Sequence, residues 1–214
     1  MHVINELYAQ WGSLLYFNQK LVAKNIDRYC SAVASKGVPL SNVFGFIDGT
    51  KRIHCLNDQG VTAPDGIYEH FFGPVEGRRH DATMLRESGL IKYLGGCRNV
   101  FWGKAMYGDP AYGIVPYLIS GFKGIDLSNE KMQFNKWMSL VRQSVEWNFK
   151  LVKTLWAYIS FKMLSKIRLS PVAKVVAIAM VLTNCHCCYF RGNQISEFFN
   201  LAPPTLRQYL DTLQ

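Results

Sequence analysis

Residues 43–75 do the most to limit what this chain can fold into. Val43-Phe44-Gly45-Phe46-Ile47 is a short apolar run rich in strand formers, and Asp48-Gly49-Thr50 after it reads as a turn. Arg52 to Val61 reads as a second strand, with Ile53, Cys55 and Asn57 on one face, although the polar Asn57-Asp58 pair is unusual there. Pro64-Asp65-Gly66 is a turn signal, and Tyr68 to Val75 is a third strand. Three strands joined by turns this short form an antiparallel meander.

The flanking segments have helical spacing. Ile4, Leu7, Tyr8, Trp11, Leu14 and Leu15, then Leu21, Val22, Ile26 and Tyr29, predict two helices before Gly37 and Pro39 stop the pattern. Asp81 to Ser88 predicts a helix closed by Gly89, and Asn99 to Tyr107 a fourth strand ending at Gly108-Asp109-Pro110. Ser128 is a natural N-cap for a long helix through Met132, Phe134, Trp137, Met138, Val141, Val145, Phe149 and Val152. Pro171 to Tyr189 is apolar nearly all round, which predicts a buried helix. The tail around Pro203-Pro204 reads as extended chain followed by one helical turn. Helices, three strands, a helix, a strand and further helices give an α/β fold with a mixed sheet, an order that several families share.

The formal net charge of +9 on 214 residues favours a polyanionic partner, nucleic acid first. A bilayer span needs ~20 apolar residues; the best run, Val172 to Leu182, is shorter and interrupted by Lys174, so no membrane association is expected. The start, Met1-His2-Val3-Ile4-Asn5-Glu6, lacks the basic-then-apolar pattern of a secretion signal, which predicts an intracellular protein. Of the six cysteines, three crowd into Cys185-His186-Cys187-Cys188 without a matching second pair. Buried free thiols on a helix explain that cluster better than a zinc site.

Three acids stand out by position. Asp48 and Asp109 each follow a strand, and Glu146 lies on the long helix. Carboxylates at the ends of neighbouring strands, joined by one from a helix across the sheet, supply hard oxygen donors suited to Mg²⁺ or Mn²⁺. Each also has a plain structural reading. Asp48-Gly49 and Asp109-Pro110 are ordinary turn dipeptides, and Glu146 can form an ion-pair ladder with Arg142 and Lys150.

The wording around these acids goes further. Phe46-Ile47-Asp48-Gly49-Thr50, Gly73-Pro74-Val75-Glu76-Gly77-Arg78-Arg79-His80-Asp81, Tyr107-Gly108-Asp109-Pro110-Ala111-Tyr112 and Val141-Arg142-Gln143-Ser144-Val145-Glu146-Trp147-Asn148-Phe149 occur in that order. Asp48 and Asp109 lie 61 positions apart, Asp109 and Glu146 37. Together these segments resemble the DDE superfamily endonuclease domain of Harbinger-type transposases and their domesticated derivatives. The resemblance implies a ribonuclease H-like fold: a mixed sheet with flanking helices. It implies that Asp48, Asp109 and Glu146 are the catalytic, Mg²⁺- or Mn²⁺-binding acids of phosphodiester cleavage and strand transfer. Asp81 matches a further acid of the pattern, as a helix cap or an auxiliary acid. Lys51, Arg52, Arg78, Arg79, His80 and Arg142 are candidate phosphate contacts, with a solvated basic loop as the alternative for Arg78, Arg79 and His80 and a pair with Glu146 for Arg142. Trp137 and Trp147 read as core residues.

On this resemblance residues 1–37 are a helical lead-in, the remnant of a region that precedes the nuclease domain in family members. Residues 38–214 are the endonuclease domain with its C-terminal helices. A segment that family members carry between the first acid and the second strand looks shortened here, since Thr50 runs almost directly into Lys51-Arg52-Ile53-His54. A slip of one residue in that hairpin would turn Asp48 to the opposite face. The expected function is therefore a transposase-derived DNA endonuclease. The alternatives are a catalytically impaired DNA-binding or scaffold protein on the same fold, or a degraded transposon remnant. Expected partners are DNA and a separate DNA-binding protein, with an oligomer left open and the nucleus as the place of action.

Overall fold

A computed structural model describes residues 2–17, 19–52, 56–76, 79–160 and 172–211. The meander is there: β1 (Val43–Arg52), β2 (Leu56–Thr62) and β3 (Tyr68–Glu76) pair antiparallel in turn. Two short strands, β4 (Ala105–Gly108) and β5 (Leu118–Ser120), lie parallel on the other side of β1, giving the order β3-β2-β1-β4-β5. With its flanking helices this mixed sheet is the α/β fold expected of a ribonuclease H-like domain.

Two strand boundaries differ from the sequence reading. Asp48-Gly49-Thr50 is not a turn, because β1 continues through it to Arg52, paired Asp48↔Gly60, Gly49↔Gln59 and Thr50↔Asp58. Arg52 therefore closes β1 rather than opening β2; Ile53 and Cys55 lie outside the described residues. The fourth strand shrinks to four residues. Asn99 to Phe101, expected to begin it, lie instead in α5 (Arg98–Phe101), which buries Phe101 and follows α4 (Leu90–Gly96), which buries Leu90 and Leu94. Gly103, in the left-handed region at φ +71°, then turns the chain into β4.

The sheet separates two apolar clusters. On one side α6 (Asn129–Leu155) contributes Met138, Val141, Val145, Phe149 and Val152, and α7 (Val172–Tyr189) contributes Val176 and Met180, against Phe46, Tyr68, Phe71 and Tyr107. On the other, Val22 and Ile26 of α2 (Gln19–Ala34) pack with Phe44, Ile47, Val61 and Met106. Each such fully buried side chain contributes roughly 1.5–3 kcal/mol. α1 (His2–Trp11) precedes a short 3₁₀ segment whose Leu14 and Leu15 join the first cluster. α3 (Asp81–Glu87) follows β3. α6 begins at the Ser128 cap, whose hydroxyl accepts from the Lys131 N–H.

α7 is long and apolar enough, by length and hydropathy, to cross a membrane, but 61% of it is buried within this fold. Asn184 shows why it belongs there. Its amide accepts from the Tyr68 N–H and donates to the Tyr68 carbonyl, both at 2.9 Å, and also donates to the Tyr209 hydroxyl. α7 thus satisfies backbone groups of β3, a strand at the edge of the sheet that would otherwise be open to pairing. The thiols of Cys30, Cys97, Cys185, Cys187 and Cys188 are free. α8 (Gln194–Phe199) and, after the extended Pro203-Pro204 stretch, α9 (Leu206–Leu210) each start with a capping box. Trp147 packs edge-on against Phe198 as expected of a core residue, whereas Trp137 is 40% exposed, because its position on α6 falls outside the buried stripe.

Candidate active site

From Phe46 onward the β1 side chains alternate between the faces of the sheet, and this aims the first acid. Phe46 and Asp48 face α6, while Ile47 and Gly49 face the α3 side. Pairing of β1 with β2 is unbroken from Phe46↔Thr62 to Arg52↔Leu56. Asp48 therefore points toward the helix that carries the third candidate acid. Asp109 arrives on the neighbouring parallel strand: Ile47 pairs with Gly108, so the two aspartates follow paired residues on adjacent strands. Such strands lie ~4.8 Å apart. Asp109 caps the 3₁₀ turn Pro110–Tyr112, its Oδ1 accepting from the Ala111 N–H at 2.8 Å. The turn reading of Asp109-Pro110 and the site reading thus hold together, since the cap fixes one oxygen and leaves the other.

Glu146 and Arg142 are one turn apart on α6. Arg142 donates through Nη1 to Asp48 Oδ2 at 3.1 Å and lies 3.2 Å through Nη2 from Glu146 Oε1. The guanidinium fork therefore bridges the first and third acids. Asp48 Oδ1 accepts from the Gly49 N–H at 2.9 Å, so both Asp48 oxygens are engaged.

The charges of these groups act on one another. Burial, helped by the Glu146 and Asp109 charges and opposed by Arg142 and the Gly49 N–H, pushes the Asp48 carboxyl up to about 6. Tyr107 is raised to about 12 by burial, with Arg142 opposing and Asp109 adding. Burial also raises Tyr112, whose hydroxyl accepts from Gln59 Nε2 at 3.3 Å; the charges of Asp81, Asp48 and Asp109 add to the rise.

Three carboxylates are the right donors for a hard divalent cation. As they stand, however, no three His, Cys, Asp or Glu side chains among the described residues are close enough to hold a metal ion. The group between Asp48 and Glu146 is the Arg142 guanidinium. The donor chemistry fits such an ion, and the Arg142 guanidinium stands where it would draw on Asp48 and Glu146.

The other expected residues divide. Asp81 is the first residue of α3, next to its N-cap His80, where a negative charge suits the helix dipole. It approaches the sheet from the face opposite Asp48, beneath Gly49. Arg79 is exposed and pairs with Glu87 of α3. His80 is exposed. Lys51 and Arg52 lie in β1, but their side chains, like the whole of Arg78, are outside the described residues.

Two glycines that the sequence reading passed over shape the site. A Cβ on Gly60, the partner of Asp48, would sit 2.9 Å from Phe149 Cζ, so its absence lets α6 approach the sheet beside the acids. A Cβ on Gly49 would sit 2.8 Å from Asp81 Oδ1. Glycine inside a strand is the available signal, since it often marks a close approach of another element.

Residues 46–184, more than half of the chain and a span containing all three acids, match the family described as DDE superfamily endonuclease. No curated protein and no solved structure matches the chain. On the fold and on this match, the chain belongs to the DDE superfamily endonucleases.

Proposed function

We propose that the chain is a transposase-derived, divalent-metal-dependent DNA endonuclease domain of the Harbinger type, with Asp48, Asp109 and Glu146 as its catalytic, metal-holding acids. The observation that carries this reading is the gathering of acids from β1, β4 and α6 at one locale, with Asp48 under the field of both others. Mg²⁺ or Mn²⁺ bound there would stabilise the attacking and leaving oxygens of phosphodiester cleavage and strand transfer. The Gly49 and Ala111 N–H groups aim one oxygen each of Asp48 and Asp109. The net charge of +9 favours retention of DNA, and Arg142, Lys51, Arg52, Arg78, Arg79 and His80 are the proposed phosphate contacts. Residues 1–37 serve as a lead-in to the domain at 38–214, a separate protein reads the target sequence, and the work is done in the nucleus.

The test is nicking of supercoiled DNA by purified protein with Mg²⁺ or Mn²⁺, compared with Asp109→Ala. Nicking that needs the metal and disappears in the variant is the expected result; nicking indifferent to the substitution would remove the acids from the mechanism.

A second reading is favoured by the Arg142 bridge: a DNA-binding protein whose acids are held by an internal cation. It expects DNA retention that weakens steeply with salt, roughly one power of salt per phosphate contact, and no cleavage with either metal.

A further inference from the structure

We propose that Arg142 couples metal loading to DNA binding: its guanidinium holds Asp48 and Glu146 in the DNA-free chain and passes to a DNA phosphate when a divalent cation takes those carboxylates. This rests on the reading of Asp48, Asp109 and Glu146 as the metal-holding acids.

The argument starts from which oxygens are taken. Asp48 Oδ1 accepts from the Gly49 N–H and Asp109 Oδ1 from the Ala111 N–H, so backbone fixes one oxygen of each. The other Asp48 oxygen, Oδ2, is the one that Arg142 holds, together with Glu146 Oε1. A cation drawing on Asp48 and Glu146 must therefore compete with the guanidinium for the same oxygens. Arg142 cannot escape by losing its charge, because a guanidinium stays protonated. Displaced, it needs another anion, and a phosphodiester presents two oxygens to the same planar fork.

The guanidinium lies between a largely buried acid and an exposed one. The Arg142 and Asp48 side chains are only 19% and 16% exposed, whereas that of Glu146 is 53% exposed. The acid group thus opens to solvent on the Glu146 side, next to the guanidinium. A cation that frees Arg142 makes the phosphate contact easier, and a phosphate that draws Arg142 away makes metal loading easier. Linkage requires the two effects to be equal in free energy. Couplings of this kind typically amount to ~5–150-fold in affinity.

The experiment measures binding on both sides of the linkage, without turnover. Mn²⁺ titration calorimetry is run on the DNA-free chain and on Arg142→Gln, Arg142→Lys and Asp109→Ala. Anisotropy of a short fluorescent duplex then gives DNA affinity with and without Mn²⁺. Arg142→Gln should bind Mn²⁺ about tenfold tighter than wild type without DNA, a change within the range above. Mn²⁺ should tighten DNA binding by wild type by a similar factor and leave that of Arg142→Gln unchanged. Arg142→Lys keeps the charge without the fork and should fall between them, which provides a second comparison if one variant folds poorly. Equal Mn²⁺ affinity in wild type and both Arg142 variants, with binding lost in Asp109→Ala, would overturn the coupling and leave the acids in place. Mn²⁺ binding that is absent throughout, or undiminished in Asp109→Ala, would overturn the metal reading and the coupling with it.

Discussion

His70→Phe should flatten the acid limb of this protein's stability curve. His70 lies on β3, 4% exposed, with its ring 5.5 Å from that of Phe17 and edge-on to Tyr16 at 6.0 Å. Among the described residues its Nδ1 has no hydrogen-bond partner. Burial alone pulls the imidazole down from 6.5 to about 4. The native state therefore binds this proton less readily than the unfolded chain does. The stability contributed by the neutral ring is complete above pH 6.5 and is lost as pH falls toward about 4. At ~1.4 kcal/mol per pH unit, the loss by about pH 4 is about 3 kcal/mol. Asp65 and Glu69 act with the opposite sign. Burial raises both, Asp65 to about 6, so what they contribute is present at low pH and is lost as pH rises through the raised values. Comparing wild type with His70→Phe cancels these acids and any pH-independent packing cost. Urea unfolding of both proteins at about pH 7.5 and about pH 4 measures the difference. The variant should lose about 3 kcal/mol less than wild type across that interval. Equal losses would refute the assignment of acid sensitivity to this ring.

Three further substitutions test the framework around the site. Gly60→Ala places a Cβ 2.9 Å from Phe149 Cζ and 3.2 Å from Tyr68 Cε1, and overpacking of this kind costs ~1–3 kcal/mol. Thermal unfolding should report that loss, and an unchanged midpoint would show that α6 does not need the close approach. Asn184→Ala strips the Tyr68 backbone of its partner groups on α7, at a cost of ~1–3 kcal/mol for each buried group left unsatisfied. Hydrogen exchange at the Tyr68 amide should accelerate, and retained protection would contradict the edge-covering role. Tyr29→Phe removes the hydroxyl that donates to Asp65 at 2.7 Å and Glu69 at 3.2 Å, so stability near neutral pH should fall by ~1–3 kcal/mol. Denaturant unfolding should show that deficit narrowing toward about pH 4, where both acids carry protons in the native state, and a constant deficit would argue against a charge-dependent role.

Local pattern was enough for the elements with a strong period. The 138, 141, 145, 149 and 152 stripe declares α6 and its buried face, and the strand formers between turn signals around 43–47 and 68–75 declare the strands. The order of acids and their surrounding words pointed to the same family that the match over 46–184 shows. Residue type makes Asp48-Gly49-Thr50 a turn, yet the strand continues through it. Pairing with Gly60, Gln59 and Asp58 decided it, and those partners become neighbours only when the hairpin closes. β5, three residues long, is too short to show a period at all.

Partner choice was likewise a tertiary matter. From spacing alone Arg142 could face Glu146, a phosphate or solvent; the packing of α6 over Gly60 brings its fork to Asp48 as well. Arg79, a candidate for phosphate, found Glu87 on its own side of the fold. Periodicity fixes which face of an element is buried because it records repeated apolar positions along one stretch of chain. An ion pair or a close helix approach depends on two stretches meeting at a particular register and direction, and only the assembled sheet and helices set those.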